Sequence, residues 1–119
     1  MTNELHVLFG AGQVGQPLAR RLLDAGKQVR VVKRSSGGVP PGVELIQGDA
    51  ADAAVCANAA QGASVVYHCM NPPYRTRAWA ELVPRYMDNL IAAAGHAGAR
   101  LVVLDNLSTG KRSNLAAVA

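Results

Sequence analysis

Gly10-Ala11-Gly12-Gln13-Val14-Gly15 reads G-x-G-x-x-G. Residues of these types at this spacing can cradle a pyrophosphate. Gly10 permits a tight turn, Gly12 lets the backbone come close to phosphates, and Gly15 lets a helix pack against a strand. The chemistry is backbone N–H donation, reinforced by the positive end of a helix dipole. Three glycines in an ordinary strand-to-helix turn are the plainer reading. The context argues against it, because the run comes after an apolar strand-like segment and opens a helical pattern.

A dinucleotide site of this kind has a second test, about 20 residues on, where an Asp or Glu accepts from the adenosine ribose of NAD. This chain has Val31-Val32-Lys33-Arg34-Ser35-Ser36 there, with no acid. A carboxylate would repel a 2′-phosphate, whereas Arg34 can grip one with two hydrogen bonds and Lys33 and Ser35 can assist. The expected cofactor is therefore NADP in preference to NAD. Lys27, Arg30, Lys33 and Arg34 cluster around this segment, where a 2′-phosphate would sit. The alternative is a solvated basic strand end.

Asp49, in Gly48-Asp49-Ala50-Ala51-Asp52, can accept from an adenine amino group, with Ala50 closing over the ring. Its other reading is a helix N-cap, a role that suits Asp52 better. Met70 and Asn71 come after an apolar run and are placed to lie near the cofactor's ribose and nicotinamide half. Nothing in the sequence lowers the pKa of Cys69 to make it a nucleophile. His68 reads as a packed strand residue, and the histidines and cysteines lack metal-ligand spacing.

The elements that must hold these residues alternate short apolar runs with longer helical patterns, as parallel β-α-β units do. Strands are expected at Leu5–Phe9, Gln28–Val32, Val43–Gln47, Ser64–Cys69 and Arg100–Leu104. Helices are expected at Gln13–Ala25, stopped by Gly26, at Asp52–Ala60 and at Trp79–Ala97, with Pro84 early enough to start or kink the last. Ser35–Gly42, Asn71–Tyr74 and Asn106–Gly110 read as loops or turns, and Ser113–Ala119 as one weak helical turn. Strands apolar throughout are buried on both faces. Right-handed crossovers then give an α/β fold with a doubly wound, parallel five-stranded sheet ordered 3-2-1-4-5.

The chain has 119 residues, one domain by size, with 105–119 as an atypical tail. It is 50% hydrophobic and 17% charged, which supports a core and argues against disorder. Aromatics at 4% make base-stacking surfaces for nucleic acid improbable, and a net charge of +4 is too small to imply DNA binding. No signal-peptide pattern or membrane-length apolar run is present. Two cysteines make no disulfide framework, so a reducing, cytoplasmic home is expected.

Residues 1–105 resemble the N-terminal part of extended or atypical short-chain dehydrogenase/reductases, an epimerase-like group with a Rossmann fold. The resemblance rests on Leu8 to Gly15, on Gly48-Asp49-Ala50-Ala51-Asp52, and on Val65-Val66-Tyr67-His68 with Asn71-Pro72-Pro73-Tyr74 after them. It implies that Gly10, Gly12, Gln13, Val14 and Gly15 bind the pyrophosphate, that Arg34 sits on the adenosine side and Asp49 near adenine. It also implies that Met70 and Asn71 lie near the central part of the cofactor. Two departures matter. The family's Tyr-x-x-x-Lys is absent, since the fourth residue after Tyr67, Tyr74 and Tyr86 is Asn71, Ala78 and Leu90. The stretch from Asp105 to Leu115 instead resembles the segment at the end of strand two in sugar-nucleotide 4-epimerases, where the Asp binds ribose. Ser108 could alternatively stand for the family's active-site serine. Two strand-two-like segments suggest a mosaic, truncated or engineered chain.

Three functions are compatible with this pattern. The first is a dinucleotide-binding module without catalysis by itself. The second is an oxidoreductase or epimerase completed by another chain. The third is a self-associating structural protein. A homodimer or larger oligomer is expected through an uncovered strand-five edge, helped by an uncovered face of the last helix with Leu82, Tyr86, Leu90 and Ile91.

Overall fold

The computed structural model describes residues 4–10, 15–34, 38–69, 77–105 and 114–118, with backbone alone at 77–83, 105 and 114–118. Five parallel strands form the body of the sheet: β1 (Leu5–Phe9), β2 (Gln28–Lys33), β3 (Glu44–Gln47), β4 (Val65–His68) and β5 (Arg100–Asp105). Their order, 3-2-1-4-5, is the expected one, and a sixth strand, β6 (Asn114–Val118), extends it. The direction of winding reverses between β1 and β4, which places a crevice at the carboxyl ends of those two strands.

Helices cover the two faces unequally. Helix α1 (Gly15–Asp24) lies on one face, where Ala19 packs with Leu8, Val29 and Val31. Helices α2 (Ala53–Ala59) and α3 (Arg77–Ala97) lie on the other, where Cys56, Ala59, Tyr86 and Leu90 pack over Val7, Phe9, Val66 and Leu101. Small alanines on α2 and α3 let both helices sit close to each other and to the sheet.

Local chemistry explains the ends of these elements. Gly26 takes φ +81°; its N–H donates to the Leu23 carbonyl (2.9 Å), and the Lys27 N–H donates to the Leu22 carbonyl (3.0 Å). This is a Schellman stop, available to glycine at low cost. Asp52 caps α2: its backbone is extended and its carboxylate accepts from the Ala54 N–H at 2.9 Å. Pro84 neither starts nor ends α3, which begins upstream at Arg77 and runs through it.

Four expectations are corrected. The tail forms no helical turn in the described residues: Asn114–Val118 pairs antiparallel with β5, from Leu101↔Val118 to Asp105↔Asn114. Alanine and leucine are strong helix formers, but intrinsic preferences differ by less than about 1 kcal/mol per residue, and the unpaired backbone of a strand edge outweighs them. The β5 edge expected to drive self-association is therefore occupied by β6. The exposed helix face is also smaller than expected, since Tyr86 and Leu90 are buried in the core and Ile91 is exposed; Leu82 lies outside the described side chains. Asp105, at the end of β5, is three strands from β2. At about 4.8 Å per strand that is roughly 14 Å, so the ribose role implied by the tail does not carry over. No described helix is long and apolar enough to cross a membrane.

Leu90 is completely buried at the centre of the α2–α3–sheet cluster. Leu90→Ala is expected to lower unfolding stability by about 2–5 kcal/mol in urea titrations. A loss well under 1 kcal/mol would show that α3 is not docked as described.

Candidate functional site

The site is built at the carboxyl edge of the sheet. The residue after each of three strands is tied to its neighbour. The Gly10 N–H donates to the Val32 carbonyl, the Gly48 N–H to the Lys33 carbonyl and the Cys69 N–H to the Phe9 carbonyl, each at 2.9 Å. The ladder thus stays closed one residue beyond the strands, from β3 across to β4, and fixes where each loop departs.

At the β1–α1 joint, Gly10 adopts φ +104°, in the region that glycine favours. Gly15 is buried at the first position of α1. A Cβ built on it would stand 2.5 Å from the Gly10 carbonyl oxygen and 3.7 Å from the Cys69 Cβ. No side chain fits there, so the start of α1 lies directly against the end of β1 and beside the end of β4. This is the close approach that a pyrophosphate cradle requires, and the residues present fit a dinucleotide. Gly12, Gln13 and Val14 lie outside the described residues, as do Ser35, Met70 and Asn71.

The side expected to meet the adenosine lies at the ends of β2 and β3. Arg34 is exposed, with no carboxylate partner among the described residues. Lys33 precedes it, and its Nζ lies against Gly38, where an added Cβ would come within 2.9 Å of it. Lys27 and Arg30 do not join this group, which corrects the expected four-residue basic cluster. Lys27 pairs with Glu4 at 3.0 Å, before β2 begins. Arg30 pairs with Glu44 at 2.9 Å and donates to the Ala59 and Gln61 carbonyls at the end of α2 (2.7 and 3.3 Å). Both serve the structure because they lie before β2 and at its middle, away from its carboxyl end.

Of the two aspartates, Asp52 takes the capping role at α2, as the sequence favoured. One carboxylate oxygen of Asp49 accepts from the Ala51 N–H at 2.9 Å, and the other has no partner among the described residues. Ala50 departs from expectation: it is 6% exposed and sits in the core, so little of its methyl group is left to cover a ring. Its carbonyl is held by Asn89 Nδ2 at 2.8 Å and by the Cys56 thiol at 3.3 Å. Asn89 is a residue that sequence reasoning missed. It is a polar position on the inner side of α3, one residue before buried Leu90, and it ties α3 to the loop carrying Asp49.

His68 is buried at the end of β4 and held by an interaction of its own, as its position suggested. Cys69 and Cys56 are both buried and unbridged. Burial pushes the Cys69 thiol up from 9.0 to about 12. Burial, with Asp52 and Asp49 nearby, pushes Cys56 up to about 11. Neither is a nucleophile near neutral pH. The opposite edge of the sheet carries a different polar group: His6 and Tyr67 stack and share a 2.8 Å hydrogen bond, and Glu4 links His6 to Lys27. A depression of about 530 Å³ between Glu4, Ser64, Gly95 and Arg100 also lies there, at the amino ends of β4 and β5, away from where parallel sheets bind ligands.

Comparison with known proteins agrees with this geometry. The model of a family described as NAD(P)H-binding matches residues 10–117. A 3 beta-hydroxysteroid dehydrogenase/Delta 5-->4-isomerase of Mycobacterium tuberculosis is 36% identical over 110 residues, covering 82% of this chain and 30% of that protein. Among solved structures, a mutant uronate dehydrogenase from Agrobacterium tumefaciens, complexed with NAD, matches with a TM-score of 0.74. It is 24% identical, over 88% of this chain and 42% of that one. The Bordetella bronchiseptica enzyme WbmG, in complex with NAD and UDP, gives 0.70 at 24% identity, over 86% and 37%. These structures share the fold. The chain spans well under half the length of each of these three proteins.

Two outcomes are expected of this site. Gly15→Ala forces α1 away from Gly10, costing about 1–3 kcal/mol of stability and weakening dinucleotide binding about tenfold or more by calorimetry. Unchanged binding would separate the glycine turn from the ligand. In the folded protein at pH 8, the thiolate fraction of Cys56 is about one in a thousand and that of Cys69 lower still. Iodoacetamide should therefore label both only on unfolding. Because both folded values are raised, their contribution to stability is complete below about pH 9 and falls as pH climbs beyond it. Rapid native labelling at pH 8 would contradict this burial.

Proposed function

The chain belongs to the NAD(P)H-binding family, and we propose that it is the cofactor-holding part of a reductase-like Rossmann fold that prefers NADP to NAD. The observation that carries the preference is the end of β2. An exposed Arg34, with no carboxylate partner among the described residues, and the ammonium of Lys33 stand where an NAD site would place an acid. In this reading Gly10, Gly12, Gln13, Val14 and Gly15 hold the pyrophosphate, Lys33, Arg34 and Ser35 hold the 2′-phosphate, and Asp49 receives the adenine amino group. Ala50 contributes as the buried anchor of that loop, and Met70 and Asn71 border the central part of the cofactor.

A bound nicotinamide supplies hydride transfer. The residues of this chain bind and orient; they include no Tyr-x-x-x-Lys pair that could hold and move the substrate proton. The reading is therefore a binding module without turnover of its own. A second reading, an oxidoreductase or epimerase completed by residues of another chain, is favoured by the sequence likeness to a steroid dehydrogenase/isomerase. Two buried free thiols suit a reducing cytoplasm. Self-association would use a surface other than the β5 edge, which β6 fills.

Titration calorimetry with NADPH and NADH tests the proposal. NADPH is expected to bind about tenfold or more tightly than NADH, and Arg34→Leu to remove most of that margin. Equal affinities, or tighter NADH binding, would overturn the preference. NADPH oxidation by the isolated chain with a carbonyl or sugar-nucleotide substrate would replace the module reading with the enzymatic one.

A further inference from the structure

The backbone that carries Arg34 is clasped at two points by side chains from different elements. Gln47, the last residue of β3, donates from Nε2 to the Arg34 carbonyl at 3.0 Å. Gln16, in the first turn of α1, donates from Nε2 to the Gly38 carbonyl at 3.0 Å. Residues 34 and 38 are the two ends of the loop's departure from β2, so one amide holds each end. Inside the clasp, Lys33 lies against Gly38, whose φ of +75° and lack of a side chain leave room for the ammonium.

We propose that Gln16 and Gln47 are positioning residues for cofactor choice. They act on the 2′-phosphate through the backbone of Arg34 and Gly38, and their role rests on the preference for NADP. NADP and NAD differ only at the 2′ position. Fixing the backbone at Arg34 and Gly38 is therefore a cost that the 2′-phosphate complex bears and the 2′-hydroxyl complex largely escapes. Backbone already held at these two points has less freedom left to lose. Glutamine suits the task because its amide donates without charge. A lysine would compete with Arg34 for the phosphate, and a glutamate would repel the phosphate and could not donate to a carbonyl. Gln16 also joins the loop to α1, whose start forms the other half of the cradle.

The test is calorimetric affinity for NADPH and for NADH in the whole chain, with thermal midpoints as a folding control. The proteins are the wild type, Gln16→Met, Gln47→Met, Arg34→Leu and Arg34→Leu combined with Gln47→Met. Each Met variant is expected to weaken NADPH about three- to tenfold and leave NADH within about twofold. Gln47→Met is expected to add no further loss in the Arg34→Leu background, because it acts through that residue. If a Met variant fails to fold, the corresponding Gln→Asn keeps the amide, shortens its reach and is expected to lose NADPH in the same way. Equal weakening of both cofactors, or an unchanged ratio in both Met variants while Arg34→Leu abolishes the preference, would overturn the clasp and leave the NADP reading standing. No NADPH preference in the wild type would overturn both.

Discussion

Helix α1 can begin where it does because residue 15 has no side chain. The Gly10 carbonyl occupies the space a Cβ would need, 2.5 Å away, and the rest of the site is measured from that contact. With α1 seated, Ala19 closes the core over Leu8, Val29 and Val31, and Gln16 comes within reach of Gly38 across the loop after β2. A stand-off of even a methyl radius at this joint would open the α1 face, where α1 is the one described helix. It would also pull the pyrophosphate half of the cradle away from the adenosine half. The opposite face is covered by two alanine-rich helices packed together.

The two ends of the sheet divide the charged residues between them. At the amino end and along β2, Lys27, Glu4, His6, Tyr67, Arg30 and Glu44 are matched with one another or with helix-end carbonyls. Such pairs complete the structure and leave little for a ligand. At the carboxyl end, polar groups are held through the backbone while side-chain capacity remains. Arg34 is pinned at its carbonyl, Asp49 keeps one carboxylate oxygen clear of partners among the described residues, and the Asn89 amide anchors the intervening loop at the Ala50 carbonyl. Rigid backbone with uncommitted side-chain donors and acceptors is the condition under which a small number of contacts can select one cofactor over another.

Much of this was legible in the sequence because backbone rules write it there. The glycine spacing at 10, 12 and 15, the Asp52 cap, the Gly26 stop and the apolar runs each express a local constraint, and together they fix strand order through the handedness of crossovers. The strand ends shifted by a residue or two, as ladder bonds and not composition decide them. The tail was misread because its pairing partner is remote: Asn114–Val118 becomes a strand only where β5 offers an open edge. The basic residues of β2 were misassigned for a related reason. Arg30 and Arg34 are four apart in sequence, but Glu44 on the neighbouring strand claims the first and not the second. Gln16, Gln47 and Asn89 carry no signal in the sequence, because a neutral amide means nothing until its carbonyl is known.

The carboxyl edge of the sheet, and not the polar cluster at its amino edge, is the place where a dinucleotide should be received. Amide chemical-shift mapping during an NADPH titration examines this without intermediaries. Perturbations are expected to concentrate at Gly10, Gly15, Arg34, Gly38 and Asp49, with His6, Lys27 and Arg100 unmoved. Shifts centred on the second group, or none at millimolar cofactor, would contradict the assignment.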